Sequence, residues 1–239
     1  MLPLEGVDRV LVVTAHPDDV DFGIAGSVAT WTDSGIDVTY CIVTDGDAGG
    51  ADLGLPRSEM GPLRREEQRA AAAVVGVDDV RFLGYPDGRV QPSLELRRDL
   101  AQVVREVRPH RVVGMSVERN LDRIYASHPD HLATGAATLD AVYPDARNRW
   151  AHTELLDEGL EPHVVEEVWL TAGVPRPTHY IDVTDAVDRK IKALMSHRSQ
   201  MADPTGTEAM VRAWLATTAA AAGLANGRFA EAVRVVNTR

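Results

Sequence analysis

The chain has one cysteine, no excess of basic charge and no apolar run long enough to cross a bilayer. Each absence excludes something. A single thiol, Cys41, makes no intrachain disulfide, so nothing in the sequence calls for an oxidising compartment. Cys41 lies in the apolar run 38–43 (VTYCIV), where it reads as a small buried hydrophobe of a strand. Lys and Arg number 25 against 36 Asp and Glu, a formal net charge of −11. The basic footprint of a nucleic-acid binder is therefore absent, as is an electrostatic pull toward anionic lipid. Residues 1–8 lack the basic start and apolar core of a secretory signal. The expectation is a cytoplasmic protein that binds neither nucleic acid nor membrane. No G-x-G-x-x-G follows the first strand; His16-Pro17 stands there instead, which argues against a dinucleotide-binding domain.

What is present is an alternation of strand and helix signals over 239 residues, of which 44% are apolar and 26% charged. Short apolar runs predict strands at 9–14, 36–44, 80–83, 111–115, 165–171 and 179–183. Helical patterns fall at 22–34, 63–75, 94–107, 129–142, 185–199 and 208–222. The alternation predicts an α/β fold: one domain over 1–239, with a Rossmann-like, mostly parallel sheet and helices on both faces. The stretch 45–62 holds five glycines and two prolines and is expected to be an irregular loop over the carboxyl edge of the sheet. That loop and residues 143–162 are the expected determinants of specificity.

Two short motifs carry the chemistry. Ala15-His16-Pro17-Asp18-Asp19 follows the first strand, and Ser127-His128-Pro129-Asp130-His131 follows the fourth. Proline pushes the residue before it into an extended conformation and suits the first turn of a helix. Each histidine should therefore stand at a strand end, facing the ligand crevice. His16, Asp19 and His131 then form a set of two imidazoles and a carboxylate, which suits a catalytic zinc with its fourth position open. A single such turn reads equally well as a helix cap favoured by the helix dipole; two copies, each after a strand, favour the metal. Asp18, Asp19 and Asp21 also crowd one strand end, and a divalent cation relieves their repulsion.

On these residues the chain resembles the LmbE-like, or PIG-L, family of zinc-dependent N-acetylglucosaminyl deacetylases. Bacterial members act in low-molecular-weight thiol biosynthesis and on antibiotics. Residues 15–19 match the family's AHPDD signature and 128–131 its HPDH signature. Weaker matches are Thr44-Asp45-Gly46, Arg64 with Glu67, Tyr85-Pro86-Asp87-Gly88 and His197-Arg198-Ser199-Gln200. The resemblance implies His16, Asp19 and His131 as ligands of Zn2+, with Fe2+ or another divalent metal as alternatives. It implies Asp18 as the general base, a protonated His128 as stabiliser of the oxyanion and proton donor to the amine, and Asp130 as the orienting partner of His128. It further implies that Arg64 and Asp87 hold sugar hydroxyls. The plainer alternatives are that Arg64 pairs with Glu67 one helical turn on and that Asp87 shapes a turn. Some members carry a tyrosine two residues before the HPDH histidine, where it helps the oxyanion; here that position is Ala126 and Tyr125 precedes it, so either Tyr125 meets the substrate from a different backbone angle or that function is absent.

The implied reaction is removal of an acetyl group from a small N-acetylated sugar. One alternative is the same chemistry on a thiol-sugar conjugate. Another is a non-haem Fe(II) oxygenase, since two His and one carboxylate also suit iron; Asp18 and His128 favour hydrolysis, because an oxygenase has no use for that acid–base pair. A monomer and a homo-oligomer are both compatible with the sequence.

Overall fold

The computed structural model describes residues 6–50, 54–121, 124–171 and 173–239. Its order is β1 (Arg9–Thr14), α1 (Asp19–Gly23), α2 (Ala25–Asp33), β2 (Asp37–Thr44), α3 (Arg57–Val74), β3 (Asp79–Tyr85), α4 (Leu94–Val107), β4 (Arg111–Met115), α5 (Pro129–Asp140), α6 (Glu154–Asp157), β5 (Glu167–Thr171), β6 (His179–Asp182), α7 (Val187–Leu194), α8 (Pro204–Ala221) and β7 (Ala230–Asn237). The sheet runs β3-β2-β1-β4-β5-β7-β6. The first five strands of this order pair in parallel, as the apolar runs predict.

β1 is central and shows why those runs are continuous. Val10 and Val12 pack into a core with Val28, Ala72, Ile191 and Leu215 from α2, α3, α7 and α8. Leu11 and Val13 point the other way, against Leu100 of α4 and Ala137 of α5. Successive side chains of a strand face opposite sides, and here both sides are covered, so every position must be apolar.

The strand order also places the crevice. β1 bonds β2 on one side and β4 on the other. The chain leaves β1 toward β2 and β3, then returns across the sheet to β4. Loops leaving the carboxyl ends of β1 and β4 part in opposite directions, and such a switch point is where open α/β sheets bind ligands. Both HPD turns stand there.

Three departures from the sequence reading have physical reasons. β7 was not expected, and it pairs antiparallel with both β5 and β6. Its signal is blurred by Glu231, a carboxylate 2% exposed. The N–H groups of Gly26 and Ser27 at the start of α2 donate to that carboxylate at 2.9 and 2.8 Å, and Lys190 Nζ adds a third donor at 2.8 Å. A helix N-terminus and a cation together make a buried carboxylate tolerable. Close approach needs Gly26, where an added Cβ would stand 2.9 Å from Val183 Cβ and 3.0 Å from Glu231 Oε1.

Second, α3 begins at Arg57 and runs through Gly61-Pro62, so the expected loop is shorter; of its remainder, 51–53 lie outside the described residues. Proline costs one helical hydrogen bond, which the anchoring of the first turn offsets: Met60 is 4% exposed and Arg57 pairs with Asp47 at 2.6 Å. Third, the segment 143–162, expected to shape specificity, does not lie at the crevice. Arg105, near the end of α4, donates to the carbonyls of Asp145, Ala146, Asn148, Ala151 and Leu160. His163 reaches the carbonyl of Pro109, just before β4 begins. This segment is thus fastened to the amino edge of the sheet, opposite the HPD turns.

Candidate active site

His16, one residue past Ala15 and 9% exposed, is the hub. Its two ring nitrogens face different neighbours. Nδ1 lies 3.2 Å from His131 Nε2 and 3.4 Å from Asp19 Oδ2, and His131 Nε2 lies 3.1 Å from Asp19 Oδ1. Nε2 faces two buried carboxylates, Asp87 Oδ1 at 3.1 Å and Asp130 Oδ2 at 3.2 Å. Residues 115 apart in sequence meet here because β1 and β4 are adjacent.

Asp130, 1% exposed, also accepts N–H groups from Gly88 at 2.7 Å and Val90 at 3.2 Å. Its carboxylate therefore joins the turn after β3 to His16. The side chain does not orient His128, as the resemblance implies; it is the Asp130 backbone N–H that donates to His128 Nδ1, at 3.2 Å. With Nδ1 accepting, the neutral His128 ring carries its proton on Nε2. His128 is exposed, and its ring centroid stands 4.9 Å from that of His16.

Asp18 sits in the left-handed region, φ 89° and ψ −24°, a conformation costing a non-glycine residue about 1–2 kcal/mol. Two partners hold it. Arg64 Nη2 donates to Asp18 Oδ2 at 3.0 Å, and Gln68 Oε1 accepts the Asp18 N–H at 2.8 Å. The turn sends neighbouring carboxylates apart: Asp19 joins the His16–His131 cluster while Asp18 faces α3.

The charges fit this division. Burial alone pushes the His16 pKa down, but Asp130, Asp19 and Asp87 outweigh it and raise it to about 12. Asp19 is opposed by burial and still held well below the usual carboxylate range by His131 and His16. Burial lifts Asp18 to about 6; Arg64 opposes the rise and Asp19 adds to it. Burial, with the His16 and His131 rings close by, keeps His128 below the usual imidazole value.

The donor chemistry accommodates a divalent cation. Ligands about 2.0–2.2 Å from a tetrahedral ion stand about 3.3–3.6 Å from one another; His16 Nδ1 and His131 Nε2 are 3.2 Å apart, and Asp19 presents Oδ2 to the first at 3.4 Å and Oδ1 to the second at 3.1 Å. Geometry also groups His16 with His128 and His131, and His16 with Asp87 and Asp130. The last set uses the opposite nitrogen of the ring, so one ion cannot take both sets. A carboxylate behind the far nitrogen is the usual support of a histidine that ligates a metal, and His16 has two.

Arg64 and Asp87 are 4% and 8% exposed. Arg64 donates to the carbonyls of Gly46 and Pro17 as well as to Asp18, and it leaves Glu67 to Ser199. The second oxygen of Asp87 accepts the Ala48 N–H at 3.1 Å. Both side chains thus engage their own chain rather than an open surface. Tyr125, on the loop that carries His128, is 85% exposed.

A sequence profile of the PIG-L family, described as GlcNAc-PI de-N-acetylase, matches residues 11–142. The diacetylchitobiose deacetylase of Thermococcus kodakarensis is 31% identical over 235 residues, covering 98% of this chain and 85% of the relative. The chain belongs to the PIG-L family. Another relative of this PIG-L protein is the probable N-acetyl-alpha-D-glucosaminyl L-malate deacetylase 2 of Bacillus anthracis, 30% identical over 208 residues, with 81% and 82% of the two chains covered. The N,N'-diacetylchitobiose deacetylase of Pyrococcus horikoshii superposes with a TM-score of 0.90 at 29% identity, covering 98% of this chain and 86% of that one. Relatives of this PIG-L chain are thus N-deacetylases of N-acetylglucosamine-type compounds. Among the described residues no helix is long and apolar enough to cross a membrane.

Gln68, in contact with Asp18, has no motif to mark it. The available signal is spacing: Arg64 and Gln68 lie four apart on α3, a polar pair on one face, and both are buried.

Proposed function

We propose that this chain is a divalent-metal amide hydrolase, zinc being the metal that the donor set favours, and that it removes the acetyl group from a small N-acetylglucosamine-type sugar. The observation that carries the proposal is the convergence of His16 Nδ1, Asp19 and His131 Nε2 beside a separate carboxylate, Asp18, and an exposed imidazole, His128. His16, Asp19 and His131 would hold the metal, which when bound supplies Lewis-acid polarisation of the acetyl carbonyl and acidifies a water. Asp18, with a pKa near neutrality, takes the proton of the attacking water. Neutral His128 donates from Nε2 to the carbonyl oxygen as negative charge develops on it. The proton held by Asp18 passes to the nitrogen as the C–N bond breaks, leaving acetate and a free amino sugar. Asp130 and Asp87 orient His16, Arg64 orients Asp18, and Tyr125 offers its ring to the sugar. A cytoplasmic location is part of the proposal: the single thiol, Cys41, is buried and free, and it demands no oxidising compartment.

Acetate release across a panel of N-acetyl sugars and thiol-conjugate amides tests the proposal. Turnover of N-acetyl sugars without dioxygen is expected. Activity confined to thiol conjugates would replace the deacetylase with an amidase, and turnover that requires dioxygen would reject hydrolysis.

Asp87→Asn separates two roles. As support for His16, Asp87 affects the metal first: affinity should fall roughly 10–100-fold with KM little changed at saturating metal. Metal titration alongside kinetics checks this. A raised KM with unchanged metal affinity would return Asp87 to the sugar hydroxyls.

A further inference from the structure

Behind Asp18 lies a buried polar chain that the proposed chemistry does not use. Asp21 of α1, Gln68 of α3 and His197, shortly after α7, are each 0% exposed. Gln68 Nε2 donates to Asp21 Oδ2 at 3.0 Å, and His197 Nε2 meets the same oxygen at 2.8 Å. A carboxylate oxygen accepts hydrogen bonds, so the Gln68 amide has its orientation dictated: nitrogen toward Asp21, oxygen away from it. The oxygen facing away is the one that accepts the Asp18 N–H. Asp18 is one of three non-glycine residues with positive φ among the described residues, and Arg64 grips only its carboxylate and the carbonyl before it.

We propose that Gln68 is a positioning residue for Asp18, clamping its backbone in the left-handed conformation, and that the Asp21–His197 pair locks the Gln68 amide the right way round. The inference rests on the reading of Asp18 as the base. Three elements distant in sequence are thereby coupled to one carboxylate. Without the clamp the Asp18 N–H loses its acceptor and the residue relaxes toward negative φ, turning its carboxylate off the line that α3 and Arg64 define. Asp19 has ties of its own, to the His16 N–H at 2.8 Å and to the His16 and His131 rings, so the cluster holds its place and the cost falls on turnover.

Gln68→Met keeps the length of the side chain and removes both ends of the amide. Its kcat is expected to fall roughly 10–100-fold, the scale of a small misplacement of a reacting group, with KM and metal content unchanged. In an Asp18→Asn background the same substitution should cost nothing further, since coupled residues are not additive. Gln68→Glu restores an oxygen for the Asp18 N–H while setting a carboxyl against Asp21; it should recover turnover relative to Gln68→Met and yet have the lower Tm. That inversion of activity and stability is not produced by a purely structural role. Hydrogen exchange at the Asp18 amide, measured on the intact protein, should quicken in Gln68→Met. Wild-type kcat in Gln68→Met, a loss that adds in full to that of Asp18→Asn, or unchanged exchange at Asp18 would each overturn the proposal. Where Gln68→Met fails to fold, hydrogen exchange on the wild-type protein decides: protection of the Asp18 amide like that of a helix-bonded amide supports the clamp, and the rapid exchange of an amide without an acceptor overturns it. Normal turnover in Asp18→Asn would reject the base, a separate result from any of these.

Discussion

Asp18→Asn is expected to lower kcat by roughly 10²–10⁴, the range for removal of a general base, while the metal stays bound. Metal is retained because Asp18 Oδ2 faces Arg64 and takes no part in the His16–Asp19–His131 cluster. Asparagine is the appropriate replacement. It tolerates the left-handed backbone nearly as well as aspartate, and its oxygen still accepts from Arg64. The pH profile offers a second check. A base must be ionised, so the rate rises as pH increases through the Asp18 pKa and levels off above it. That pKa is raised to about 6, chiefly by burial; a bound cation lowers it, so the acid limb should fall at or below about pH 6. Asp18→Asn should abolish the limb. Near-normal turnover in this variant would reduce Asp18 to a turn residue.

His131→Ala is expected to lose metal and activity together. The substitution removes one of three converging ligand atoms, and His131 Nε2 is within 3.1–3.2 Å of both others. Its cost in affinity should exceed the roughly 10–100-fold that follows loss of a hydrogen-bonding partner behind a ligand. Elemental analysis alongside acetate release measures both quantities. Full metal occupancy in an inactive His131→Ala would move His131 from metal binding to another part of the reaction. Residual activity rising with added metal is the expected counter-signature of a weakened site.

The two variants act on groups at the same edge of the sheet, yet they should split cleanly. The left-handed turn at Asp18 is what separates them. It directs residue 18 toward α3 and residue 19 toward His131, so one short sequence serves two chemically different tasks.

Much of this was readable from the chain itself. The strands β1, β2 and β4 announce themselves because strands covered on both faces must be apolar at every position. The HPD turns are equally local, since proline acts on the residue beside it. Those signals determined an α/β fold, two histidine-bearing turns, one directly after β1 and one opening α5, and the residue types of a candidate metal site. The tertiary structure decided the rest. Which nitrogen of His16 meets His131 and which meets Asp130 depends on β1 lying beside β4. The placement of Asp87 against His16, of Gln68 against Asp18 and of 145–163 at the far edge of the sheet depends on strand order and helix docking. So does β7, whose buried Glu231 is acceptable only because α2 begins next to it and Lys190 reaches it. Backbone preference and hydrophobic period act over a few residues and can be read in order. Partnerships between polar side chains join residues dozens to more than a hundred positions apart, and their choice is made by packing.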